Sequence, residues 1–439
     1  YWPQVYEHAI HIAAQILFAY AIDMLICWTR REKYFLGFGP FPIIFSTNLF
    51  LWFRDDWFYL QFLMIAVGFL GKEFVVWSRE GKRTHIFNPS AFSLGLFSLV
   101  LIITDTTNLT WGEQIATTLS LAPHIYLMIF LLGLVVMYSF STTLVSSISA
   151  ATLFALSAIY FDRTGVPYFL DSEIPIAVFL GLHLLVTDPS TSPRTPFGKA
   201  IFGLLYGAGV FVLYELLDFF GSPTFYDKLL CVPLLNLSVQ LIDRLVRTRM
   251  ATDWAERLKL VTATKRSNMV HMAIWIAFFS WMSLLGSTDG QHTGDSVPFW
   301  QQACADDRRR ACERLLLIEG GYCRSNVGWA CNEMGIHYAE GKIANADLVL
   351  SRSFFERSCR TGFWDGCVNL RRLQRGMGVD TLTHQPPRVA DLRGLLRQGG
   401  LTLVDMPEAE LLARACDHGW EFACADETGA FSAGAAKAQ

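Results

Sequence analysis

The sequence predicts an all-α protein, with a polytopic helical membrane domain of about ten spans followed by a soluble α-helical repeat domain. Three observations lead to this prediction. Of the 439 residues, 52% are hydrophobic and only 17% are charged, which is too apolar for a soluble chain of this length. The long apolar runs stop near residue 287. Beyond that point the sequence is polar and holds eight of the ten cysteines.

Ten apolar runs are long enough to cross about 30 Å of hydrocarbon as helices, which takes about 17–25 residues each. The second and the seventh are the weakest. The runs cover residues 8–28, 34–53, 57–77, 86–104, 124–141, 143–161, 173–187, 197–220, 225–246 and 268–287.

The loops indicate an orientation. Loops after odd-numbered spans are basic, such as "SREGKRTH", whereas loops after even-numbered spans, such as "DTTNLTWGEQ", are acidic or nearly neutral. Because positive loops stay in the cytoplasm, the even-numbered loops and the C-terminal domain are expected outside, in the periplasm of a bacterial inner membrane. We expect lipid contacts and no nucleic-acid partner.

Residues 288–299 are expected to form a linker, 300–427 the soluble domain and 428–439 a disordered tail. Paired cysteines eight residues apart lie about 12 Å from each other on a straight helix, which is beyond disulfide reach, so a disulfide requires a turn between two helices. A metal site and reduced core cysteines are the alternatives. Disulfides need an oxidising compartment, which agrees with the orientation. The pairs are Cys304 with Cys312, Cys323 with Cys331, Cys359 with Cys367, and Cys416 with Cys424.

The distance of 36 residues from Cys323 to Cys359 is close to the period of a helix–turn–helix repeat. The unit "CNEMGIHYAEGKIANADLVLSRSFFERSCRTGFWDGC" resembles cysteine-rich Sel1-like repeats of the TPR type. The resemblance covers residues 300 to 425 and implies one disulfide in each helix pair. Such repeats present a surface for partner proteins, here in the periplasm.

Two polar segments, "FNPSAFSLG" and "TDPSTSPRTPFGK", precede the fourth and eighth spans. Asn88–Pro89 and Thr195–Pro196 are typical helix starts, and a helix start presents N–H groups that could bind an anion. The alternative is a pair of well-capped helices with basic flanks at the lipid headgroups. His183 lies one helical turn before Thr187, inside an apolar span where ionisable groups are often functional. The candidate binding residues are Asn88, Pro89, His183, Thr187, Asp188, Ser192, Arg194, Thr195 and Lys199.

These two segments, within residues 35 to 245, resemble the motifs of the RnfD/NqrB family of membrane electron-transport subunits, with "TDPSTSPRT" nearest to its UnbU-like branch. The resemblance implies electron transfer through flavin within a complex of several subunits. Members with covalent flavin attach it to a threonine in an "SGAT"-like loop, whereas "SAAT" (Ser149 to Thr152) lies inside the sixth span. We therefore expect no covalent flavin, and non-covalent flavin or quinone as the cofactor.

The leading hypothesis is an inner-membrane electron-transport subunit that binds flavin or quinone non-covalently, with periplasmic repeats that bind other proteins of a larger complex. A non-redox scaffold or assembly subunit is the alternative. A small-solute channel or transporter comes third, since two five-span halves would have inverted topology. No nucleophile, histidine and acid pattern indicates a hydrolase, so any enzymatic role is that of a subunit in a membrane oxidoreductase.

Overall fold

A computed structural model describes residues 4–30, 37–79, 81–112, 115, 124–170, 172–258, 264–288, 292–396 and 406–424. The chain divides into two compact units, residues 1–158 with 173–288, and residues 159–172 with 289–439. Helices make up nearly all the regular structure, which confirms the all-α fold class. The predicted disordered tail lies outside the described residues.

Ten apolar helices of the first unit occupy the positions of the ten predicted spans. Two short helices, Gln4–Glu7 and Arg249–Arg257, are left unnumbered. The ten are α1 (Ala9–Arg30), α2 (Pro40–Phe50), α3 (Tyr59–Phe74), α4 (Pro89–Ile103), α5 (His124–Phe140), α6 (Thr143–Thr164, which continues into the second unit), α7 (Ile176–Leu184), α8 (Pro196–Phe219), α9 (Asp227–Leu245) and α10 (Lys265–Leu284).

Within the described residues, four helical segments are both long and apolar enough to cross a membrane: Ala9–Arg30, Thr143–Thr164, Pro196–Phe219 and Thr224–Leu245. This makes the chain a membrane protein. The two weakest predicted spans are short, with 11 residues in α2 and 9 in α7. A helix of nine residues is about 14 Å long, less than the hydrocarbon thickness. The count of ten complete spans therefore stays a prediction.

A hairpin replaces the loop that we expected between α3 and α4. Strand β1 (Val76–Arg79) pairs antiparallel with β2 (Lys82–His85), and Arg79 lies opposite Lys82. Gly81 has a φ of 76°, as two-residue hairpin turns require. The hairpin projects Arg79 from a fixed backbone position toward the polar segments.

Small residues let the helices of the first unit approach closely. A Cβ on Gly203 of α8 would lie 2.6 Å from the carbonyl oxygen of Val145 in α6, which is too close for any side chain. The Ser149 hydroxyl donates to the carbonyl oxygens of Val145 and Gly203. The "SAAT" segment thus packs α6 against α8, as small residues do in membrane helices.

The second unit is built from short antiparallel helices. Its first helix begins at Val297, inside the segment that we assigned to a linker. The helices are α11 (Val297–Ala305), α12 (Ala311–Arg324), α13 (Gly328–Glu340), α14 (Leu348–Arg360), α15 (Trp364–Gln374), α16 (Val389–Leu395) and α17 (Glu408–Asp417).

Four disulfides link the cysteine pairs in this unit, as predicted, with Cα–Cα distances of 4.6 to 4.8 Å. Each disulfide joins a cysteine in the last turn of one helix to a cysteine beyond the turn that follows. These turns differ between the four pairs. Gly362 and Gly419 have positive φ in the third and fourth pairs, but Asn326 takes this conformation in the second. In the first pair, which has no glycine, Asp307 and Arg310 do so. Asparagine and aspartate tolerate this conformation better than most residues.

Residues 159–172, which are the end of α6 and the loop after it, belong to the second unit. Val166 lies in its apolar core with Trp300 and Trp329. The Arg308 guanidinium donates to the carbonyl oxygen of Gly165 at 3.1 Å. This loop follows an even-numbered span, so the positive-inside prediction assigns it and the C-terminal domain to the same side of the membrane.

Candidate functional site

Asn88 lies at the centre of a hydrogen-bonded layer that joins the two polar segments. Its side-chain oxygen accepts hydrogen bonds from the N–H groups of Ser90 and Ala91 at 3.0 and 3.2 Å. Its amide nitrogen donates to the carbonyl oxygen of Leu185 at 3.0 Å, and its own N–H donates to the side-chain oxygen of Asn236. The Asn88 side chain thus caps α4 and connects it to the end of α7, while its backbone N–H connects it to α9.

Asn236 connects this cap to the second segment. It is 1% exposed on α9, and its amide nitrogen donates to the carbonyl oxygen of Thr191 at 3.2 Å. Sequence reasoning missed this residue. The sequence feature that could have identified it is an amide side chain in the middle of an apolar span, where an unpaired polar group is unfavourable.

A buried ion pair holds the hairpin against the second segment. Two nitrogens of Arg79 donate to one carboxylate oxygen of Asp243, at 2.9 and 2.5 Å. The same guanidinium donates to the carbonyl oxygens of Ser190 and Ser192. The side chains of Arg79 and Asp243 are only 5% and 13% exposed. Together, the two carboxylate and two carbonyl contacts satisfy four N–H donors of Arg79, as a buried charge requires.

Asp188 organises the start of the same segment. Its carboxylate accepts from the N–H of Ser190 and the hydroxyl of Thr191, both at 3.0 Å, and lies 3.5 Å from the Nε2 of His85 on β2. Burial by itself raises the pKa of Asp188, but these hydrogen bonds and the charge of His85 outweigh it and lower the pKa below its usual value. The carboxylate is therefore an internal acceptor.

The start of α8 is capped in the same way. The Thr195 hydroxyl oxygen accepts from the N–H of Gly198 at 3.0 Å. The Lys199 ammonium donates to the carbonyl oxygen of Ser141 at 2.8 Å. The Arg194 side chain is exposed, and its backbone N–H donates weakly to Asp243 at 3.4 Å.

Three N–H groups at these helix starts, those of Ser90, Ala91 and Gly198, bond to the capping side chains, which agrees with the alternative of well-capped helices. Pro89, as the first residue of α4, has no N–H to offer. A cavity beside Lys199 measures about 20 Å³, which holds about one water molecule. The three capped N–H groups are therefore not available to a flavin phosphate.

His183 lies apart from the layer, in an aromatic cluster of α5, α7 and α10. It is fully buried, with Nδ1 at 2.8 Å from the carbonyl oxygen of Phe179. The Phe179 ring lies 4.4 Å from it and the Trp275 ring 5.9 Å. A Cβ on Gly133 would lie 2.0 Å from the imidazole, so glycine makes the space. Thr187 donates its hydroxyl to the carbonyl oxygen of His183.

Several buried polar atoms have no hydrogen-bond partner among the residues that the structure describes. Among them are Nε2 of His183, Nε1 of Trp275 and the hydroxyl of Ser192. Buried polar atoms are usually paired, so each of these needs an explanation.

Comparison with known proteins gives one partial similarity. A stretch of 75 residues is 35% identical to the D subunit of the ion-translocating oxidoreductase complex of Actinobacillus succinogenes, and covers 17% of this chain and 20% of that protein. The match thus spans about a fifth of the relative's length. No family model matches the chain, and no solved structure matches it. The similarity supports a distant relationship to RnfD-type subunits, and the Sel1-like assignment of the second unit stays a prediction.

Proposed function

We propose that this chain is a subunit of a membrane electron-transport complex in a bacterial inner membrane. The observation that carries the proposal is the layer in which the two family-like segments meet through Asn88, Asn236 and the Arg79–Asp243 pair. The partial similarity to an oxidoreductase complex component supports it.

Within that complex, the chain has an assembly role, and the redox cofactors belong to other subunits. Two observations support this division. The sequence has no "SGAT"-like attachment loop, and the donors at both helix starts bond to the protein itself. The repeats of the second unit would dock a partner protein on the periplasmic side.

The test is affinity purification of the full-length chain from native membranes in mild detergent. We expect flavin-containing or iron–sulfur subunits to co-purify, and less than one flavin or quinone per chain once the chain is separated from them. Extraction followed by chromatography measures both cofactors. Purification without any redox subunit would contradict the proposal.

The second candidate is that the chain itself binds flavin or quinone non-covalently. The observation in its favour is the aromatic cluster, where His183 and Trp275 each have one buried polar atom without a described partner. A cofactor carbonyl could accept from the Trp275 N–H. A cofactor hydroxyl or N–H could donate to Nε2 of His183, because the proton of that ring lies on Nδ1, which faces the carbonyl oxygen of Phe179. If so, the separated chain retains about one cofactor per chain, and His183→Phe reduces this occupancy while His271→Phe, on the same helix as Trp275, does not.

A further inference from the structure

Three loops of the first unit enclose a cavity of about 150 Å³. They follow the second, fourth and eighth predicted spans, so the positive-inside prediction puts all three on the outer side. Two of them are joined by backbone hydrogen bonds, from Trp111 N–H to the carbonyl oxygen of Trp52 at 2.6 Å, and from Arg54 N–H to that of Leu109 at 2.9 Å. Backbone hydrogen bonds therefore hold together two of the three loops that form the cavity wall.

Among the described residues, Arg54 is the only charged side chain that lines this cavity. Its guanidinium lies 4.3 Å from the centre of the Trp111 ring, a cation–π contact that holds the side chain in place. Its Nε is buried and has no hydrogen-bond partner in the part of the chain that the structure describes. A guanidinium nitrogen withdrawn from water without an acceptor is unfavourable, which points to an acceptor supplied by a ligand.

The other lining groups suit the same ligand. Thr107 and Asn108 contribute a hydroxyl and an amide, and Phe225 forms an apolar wall. The Lys228 ammonium lies 4.5 Å from the centre of the Phe225 ring. Since Lys228 is paired with Asp227 at 3.0 Å, that charge is already balanced, and Arg54 is the cation available to a ligand among the described lining residues.

We propose that this cavity binds a phosphate oxyanion through Arg54. A guanidinium bonds phosphate oxygens through two N–H groups at once, and the neutral donors complete the contact. The volume is about five times the share of one water molecule in the liquid, about 30 Å³, which leaves room for a four-oxygen anion.

The phosphate has two possible sources. Trp57, Phe58 and Tyr59 follow Arg54 closely and are 38%, 43% and 51% exposed, as in the aromatic belt at a membrane surface. At that depth the cavity is within reach of a phospholipid headgroup as well as of free phosphate. The shared chemistry is the phosphate oxyanion, and the experiment separates the sources.

The test uses the full-length chain in two preparations, in lipid-free detergent with inorganic phosphate as titrant, and in nanodiscs of phosphatidylglycerol or of phosphate-free glycolipid. Calorimetry measures phosphate affinity, and native mass spectrometry measures retained phosphatidylglycerol. Arg54→Gln should weaken the binding that the wild type shows by about tenfold or more. Arg54→Lys should retain most of it.

Arg163→Gln is the matched control, because Arg163 is exposed near the end of α6 and also carries one positive charge on the predicted outer side. It should leave binding unchanged. Phosphate binding in detergent identifies the free anion, and retention of phosphatidylglycerol alone identifies a lipid site.

Two results would overturn the proposal. They are unchanged binding in Arg54→Gln and no binding of either probe by the wild type.

Discussion

The two units keep their helices together by different means. In the first, buried polar side chains such as Arg79, Asn88 and Asn236 cross between elements, and the cysteines Cys27 and Cys231 stay free thiols. In the second, four disulfides each close a helix turn. Lipid provides no hydrophobic force between helices, so polar contacts and small residues determine the packing of the first unit. The predicted periplasmic placement of the second unit would account for its disulfides, since small domains in oxidising compartments depend on them.

The largest loss of stability is expected from breaking the Arg79–Asp243 ion pair of the first unit. Arg79→Met leaves the Asp243 carboxylate buried without its cation, which should lower the free energy of unfolding by about 3–5 kcal/mol. Thermal unfolding of the detergent-solubilised protein measures the loss. The double variant Arg79→Met/Asp243→Leu removes both charges and should recover much of it. Equal stability of single and double variants would mean that the pair is not buried.

A smaller effect is expected from opening one disulfide of the second unit. Cys323→Ser/Cys331→Ser removes a cross-link over eight residues, worth about 2.5 kcal/mol in the chain-entropy account. Proteolysis of residues 292–424 should accelerate, while the first unit keeps its unfolding temperature. Cys27→Ser is the control, since this cysteine is a free thiol. Free thiols at Cys323 and Cys331 in the oxidised wild type would contradict the assignment.

The sequence predicted more of the fold than of the site, and particular residues explain why. Apolar runs and cysteine spacing are local signals, and both led to the observed helices and disulfides. The roles of Arg79 and Asn236 depend on residues 164 and 148 positions away, Asp243 and Asn88. The sequence left open whether the N–H groups at the two helix starts are available to an anion, because a helix start has a local signature but the bonding of its N–H groups depends on the side chain that caps it.

The two caps of the layer should differ in their contribution to stability. Thr195→Ala removes one accepted hydrogen bond at the start of α8 and should cost about 1 kcal/mol. Asn88→Ala removes two such bonds and also the contact to Leu185, so its cost should be clearly larger. Unfolding temperatures of both variants check the order. An equal loss would show that the link from α4 to α7 adds nothing to the cap.

The smallest expected effect is a dependence of stability on pH, which should arise in the second unit. Glu319 is fully buried and accepts a hydrogen bond from His337 at 2.9 Å, while His384 lies 2.9 Å from Glu333. Burial raises the pKa of Glu319, although its contacts with His337 oppose this. Burial by itself lowers the pKa of His337, but the hydrogen bond and charge of Glu319 raise it above its usual value.

The raised pKa values of Glu319 and His337 change the stability of the folded state with pH in the same direction. A group whose pKa is raised in the folded state binds its proton more tightly there, so its stabilisation is full at low pH and is lost as the pH rises through the folded pKa. The second unit should therefore resist proteolysis better at pH 6 than at pH 8. His337→Gln should flatten this dependence, whereas His292→Gln, outside the cluster, should keep it. A first unit with the same pH profile would show that the dependence does not arise from this cluster.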